Sequence, residues 1–151
     1  MTAGAGKTLP RAAMAAVRDC AETLEAQATS LKQQLPSVAI EAGLRATALE
    51  LSAALKDVSS RVTFELALLQ TELGAGTSSV ATAVERLTHM DASMMSAVAA
   101  LTDVVDRLET AAERDERNEP AFVLVIEATG VMLQALAKAR AATEALRHAV
   151  P

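Results

Sequence analysis

The strongest constraint on this chain is a spacing. From Val80 to Ala112 the residues Val80, Val84, Leu87, Asp91, Met94, Val98, Leu101, Val105, Leu108 and Ala112 alternate in steps of three and four, and all but Asp91 are apolar. Such steps put side chains on one face of an α-helix, with the 3.5-residue period of helices that wind round one another. A second helical surface is therefore needed to cover that face, and the rest of the chain offers three.

Met14, Val17, Ala21, Leu24, Ala28, Leu31 and Leu35 follow the same rule, as do Val125, Thr129, Met132, Leu136, Ala139, Thr143, Leu146 and Val150. Leu44, Ala48, Leu51, Leu55, Val58, Val62 and Leu69 repeat it with one interruption. Glu65 takes a seam position there, and Leu66 and Leu73 carry the stripe onward, a four-residue stutter. The run AFVLVI at 121–126 has strand character on its own, but the heptad passes through it, so a helix is expected. Composition agrees: apolar residues are 51% of the chain and aromatics 1%. Much of the apolar share is alanine, which favours closely approaching helices over sheets.

Punctuation divides the chain at Pro36, at the GAGTSS cluster of 74–79 and at Pro120. The expected helices are 10–35, 37–73, 78–119 and 120–150, in one helical domain of 10–151 behind a flexible lead of 1–9. Thr82 and Glu85 stand at capping-box spacing at the start of the third helix. Glu41/Arg45, Asp57/Arg61, Asp103/Arg107 and Glu113/Arg117 are i,i+4 pairs in the favourable order. The glycine-rich turn makes the second and third helices an antiparallel hairpin, and the two prolines then lie at nearly one level of it. The fold class is all-α, with two arrangements open. The outer helices fold back into an antiparallel four-helix coiled-coil bundle about 60 Å long, or they continue as a bent extension in which ~64 residues span ~95 Å. Leu49, Phe64 and Leu68 form a second apolar face on helix two, which favours the bundle or partner subunits as its cover.

Two polar seam residues suggest a register device. The hairpin brings Asp91 opposite a window in which Arg61 is the only cation, and it brings Glu65 near Arg86. Polar pairs in an apolar seam fix register at a cost in stability; the plainer alternative is a solvated Asp91. Met90 and Met95 flank the seam on opposite sides, where soft side chains suit a partner helix.

Enzymatic chemistry finds little footing. The GAGKT of residues 4–8 resembles the end of a phosphate-binding loop, yet five places before Gly6 stands Met1 where that loop has its first glycine, and no strand is expected to lead into it. The expected role of that segment is a lead-in to Pro10. Glu85/His89 and Glu144/His148 sit at i,i+4 on two helices, where ferritin-like bundles use Glu-x-x-His pointing inward; here all four are expected in water. Cys20, the single cysteine, excludes an internal disulfide and fits a reducing compartment. It flanks the first seam, where an inert thiol is expected. With 14 basic and 19 acidic residues there is no basic field for nucleic acid. The stretch 121–137 carries Glu127 in its middle and reads as a buried helix rather than a membrane span. No cofactor or metal is expected. The expected role is a non-enzymatic cytoplasmic scaffold or adaptor that pairs with other helical proteins or with itself, with a coat on a lipid or polymer surface as the alternative and a metal-binding bundle as the weaker one.

Overall fold

The computed structural model describes residues 10–76 and 79–150. The lead of 1–9, with its GAGKT segment, lies outside the described residues. Four helices account for nearly all of the rest: α1 Arg11–Gln34, α2 Ala42–Ala75, α3 Val80–Arg114 and α4 Glu119–Ala149. No strand occurs among the described residues, and AFVLVI is helical.

Each helix end has a local cause. Pro10 precedes α1, where its missing N–H removes no hydrogen bond. Pro36 opens a 3-10 turn, Leu35–Ser37, after which Val38 is extended. α2 stops at Gly76, whose φ of 70° is the left-handed conformation that closes helices and that glycine alone adopts freely. Ser79 caps α3, its hydroxyl accepting from the Thr82 N–H at 3.1 Å. The cap therefore lies one turn before the expected Thr82/Glu85 box, because Ser79 is the residue with extended backbone. α3 ends at Arg114 rather than 119, because Asp115 is extended (φ −148°, ψ 109°) and its carboxylate takes the Arg117 N–H. A second 3-10 turn, Glu116–Asn118, leads into α4, with Pro120 in its first turn.

Both prolines are thus reversals, and the bent extension does not occur. α1 packs on α2 and α4, and α3 packs on the same two. The four make a closed up-down-up-down bundle. α2 and α3, of 34 and 35 residues, are each roughly 50 Å long. The loops α1–α2 and α3–α4 share one end of the bundle. The α2–α3 turn lies at the other.

The core follows the predicted stripes in α1, α2 and α4: Leu24, Leu31, Leu55, Leu69, Met132 and Leu136 are fully buried. In α3 only half of the predicted stripe is central. Leu87, Met94, Leu101 and Leu108 are buried, but their partners are Ala83, Met90, Ala97, Val104 and Ala111, one residue before the predicted Val84, Asp91, Val98, Val105 and Ala112. In a ring of four, each helix meets two neighbours and its buried stripe centres between them. Alanines in that centre let the helices approach closely. The larger valines at 84, 98 and 105 line the half-buried flank.

Three bonds set the α1–α2 register. Arg45 Nη1 donates to the Leu35 carbonyl at 2.7 Å, Ser52 Oγ to that of Ala28 at 2.7 Å, and Ser59 Oγ to that of Ala21 at 2.6 Å. Each forward step of seven on α2 meets a backward step of seven on α1, as antiparallel helices require. Both hydroxyls are buried, and each bond contributes about 1 kcal/mol net.

Candidate functional site

The polar residues singled out from sequence divide into those brought together and those kept apart. Arg86, half-buried on α3, donates to Glu65 of α2 at 3.1 Å, as its register position predicts, and also to Glu72 two turns on. His89 lies 3.9 Å from the other oxygen of Glu65. The hydrogen bond from Arg86 holds the Glu72 carboxyl below the usual carboxylate range, and the two carboxylates push the Arg86 guanidinium further up. The cluster fastens the α2–α3 hairpin near its turn.

Asp91 and Arg61 do not meet. With the α3 stripe rotated by one residue, Asp91 leaves the centre and turns to α4, where Arg140 donates to it at 2.9 Å. Arg61 stays on the surface with Asp57, at 2.9 Å. Asp103 and Arg107 also pair as spaced. Of the other two expected pairs, neither forms: Arg45 donates to the Leu35 and Val38 carbonyls just after α1, Glu41 takes Arg114, and Arg117 takes Asp115.

The end with the two short loops holds a cluster that no residue spacing announces. Asn118 is 2% exposed; its Nδ2 donates to Glu41 Oε1 and to the Ala111 carbonyl, and its Oδ1 accepts the Glu41 N–H at 3.2 Å. Arg114 reaches both oxygens of Glu41, at 2.8 and 3.1 Å. A lone Asn inside the run ERDERNE reads as solvated loop, and only the meeting of two loops buries it.

Among the described residues, no three His, Cys, Asp or Glu side chains come together as metal ligands. Glu144 and His148 pair at 3.2 Å on the surface, while His89 turns towards Glu65 rather than Glu85. Cys20 is buried at the floor of an open groove of about 490 Å³ between α1 and α4, beside Ala16, Asp19, Ala135 and Lys138. Burial pushes its thiol up to about 11.

The apolar residues separate in the same way. Met90 is fully buried rather than flanking, since it belongs to the rotated α3 stripe. Met95 is 43% exposed and lies one turn after Asp91, on the α4 side of α3. Leu68 is half-buried, but Phe64 is 61% exposed and Leu49 37%. Neither α1 nor α3 covers that face of α2. α4 has a second such face, with Val123, Ile126 and Val131 between 39% and 48% exposed. The helical stretch Glu116–Ala149 is long and apolar enough to cross a membrane by length and composition, and only a third of its most apolar window is buried. The predicted buried helix is therefore buried on one side only. Comparison with protein-family models, with curated proteins and with solved structures finds no match to this chain.

Proposed function

We propose that this chain is a non-enzymatic helical adaptor or scaffold, which offers the outer faces of its bundle to other helical chains in a cytosolic multi-subunit assembly of the tethering, organelle-positioning or cytoskeletal kind. Phe64 carries the reading. It is one of two aromatic side chains in the sequence, and it projects from a bundle whose core is complete without it. Aromatic side chains gain most from a partner's pocket, and interface energy concentrates on such anchors. Leu49 and Leu68 extend the apolar surface on the same helix, and the alanine-rich flanks allow another helix to approach closely.

The test places a photoreactive phenylalanine analogue at position 64 of the full chain, with a control at exposed Glu109. Irradiation in cells is expected to give a discrete cross-linked species at 64, absent at 109, with the partner's cross-linked peptide in a helical segment. Equal, diffuse labelling at both positions overturns the reading.

The outward apolar side of α4 supports a second reading, a coat on a lipid or polymer surface. Flotation with liposomes, lost on replacing Val123 and Ile126 by Gln, is its expected signature. Absence of flotation removes it.

A further inference from the structure

The outward face of α4 has a pattern that matches itself. Val123, Glu127, Gly130, Gln134, Lys138 and Ala141 follow in steps of three and four, and all are exposed. Glu127 and Lys138 have opposite charges and meet no charged partner among the described residues. They stand five and six residues from the middle of the stripe, on opposite sides of it. Large Val123 occupies one end and small Ala141 the other.

Gly130 is the independent observation. Glycine inside a helix costs about 1 kcal/mol relative to alanine. Nothing within the bundle requires it: a Cβ built there meets no atom within 4 Å, and its φ is not positive. A glycine on an exposed helical face, near the centre of the stripe, is where a second helix crosses closely.

We propose that α4 pairs with α4 of a second copy of this chain, antiparallel about a two-fold axis level with Met132. A two-fold interface uses one patch twice, so each contact occurs in both directions. Turned end for end, the stripe sets Glu127 against the partner's Lys138 and Lys138 against the partner's Glu127. Val123 falls on the small Ala141 of the partner subunit, and Gly130 lies beside the axis against the partner's Gln134. A parallel arrangement would instead align like charges and set large side chains on large ones. This inference rests on the reading of the bundle as an association module and names one of its partners.

Sedimentation equilibrium of the full chain tests it, at concentrations from about 1 µM to 1 mM, where small interfaces dissociate. The wild type is expected to form dimers. E127K and K138E each set like charges together twice, and each is expected to weaken the dimer about tenfold or more at low salt. The double variant E127K/K138E restores the pairing and the affinity. G130L is expected to abolish the dimer while circular dichroism shows an intact bundle, since the side chain has open space in the monomer. Any of three results overturns the proposal: a wild type that stays monomeric to 1 mM, a double variant no tighter than the singles, or a G130L chain that still dimerises. Cross-linking at Phe64 in the G130L background separates the two readings, because an adaptor whose α2 face engages another protein retains that cross-link whether or not α4 pairs.

Discussion

Glu41 and Asn118, 77 positions apart, are joined in both directions. The amide nitrogen of Asn118 donates to the Glu41 carboxylate, and the Glu41 backbone N–H donates to the Asn118 side-chain oxygen. One buried side chain thereby ties the two loops at the end of the bundle. Asn118→Ala leaves the Glu41 N–H and the Ala111 carbonyl without this partner, at an expected cost of about 1–3 kcal/mol. Urea denaturation measures it. Arg114→Ala, which removes an exposed ion pair of the same cluster, is expected to cost less than about 1 kcal/mol. Equal losses in the two variants would mean that the amide is not what holds the loops.

The Arg86 cluster predicts a specific dependence on acid. Glu72 is held below its ordinary range by the Arg86 hydrogen bond, so its contribution is complete above the unfolded carboxylate pKa of about 4.3 and fades as pH falls through the lower folded value. Asp115 behaves likewise through Arg117. Arg86→Met is expected to flatten the fall of stability with acid between about pH 5 and pH 2. Parallel curves for wild type and variant would contradict the assignment.

Cys20 predicts low reactivity. With its thiol raised to about 11, little thiolate exists at neutral pH, and burial restricts access. Alkylation of the native chain at pH 7.5 is expected to run at least about a hundredfold slower than in urea. The native state holds its proton more tightly than the unfolded chain, so stability should also decline as pH rises above about 8.5. Rapid labelling of the native protein would show that α1 and α4 part far enough to expose the thiol.

Thr129 offers a stabilising change. It is 4% exposed, and its hydroxyl finds no hydrogen-bond partner among the described residues. Valine keeps the shape and removes the unpaired group, so Thr129→Val should raise stability by about 1–2 kcal/mol, read as a higher melting temperature. Thr143 is the control: its hydroxyl donates to the Ala139 carbonyl at 2.8 Å, and the same substitution there should gain less.

The contrast between these residues explains what the sequence made legible. Apolar periodicity located all four helices, and the similar distances of Pro36 and Pro120 from the glycine-rich turn put the two breaks at nearly one level, while leaving open whether the chain reverses there. The pairing of Glu65 with Arg86 followed from register alone. Asp91 did not, because a one-dimensional stripe records which residues are apolar but not how each helix rolls between two neighbours. At two steps the bulkier residue was favoured, Val84 and Val98 over Ala83 and Ala97, where close helix approach puts the small one at the centre. Ser52, Ser59 and Asn118 were passed over for a related reason. Each is an ordinary surface residue until another helix or loop supplies the carbonyl or carboxylate it serves. For the outer faces, sequence marked Phe64 and Leu49 as needing cover, and the bundle leaves them bare.

The heptad-spaced bonds from Arg45, Ser52 and Ser59 give the α1–α2 pair detents. Apolar side chains at heptad spacing leave a one-turn slide with other apolar contacts to make. With three donors aimed at three carbonyls seven residues apart, such a slide breaks all three bonds at once. The bundle thus selects its alignment in discrete notches, and a chain this rich in alanine keeps one alignment where its size-matched core would tolerate several.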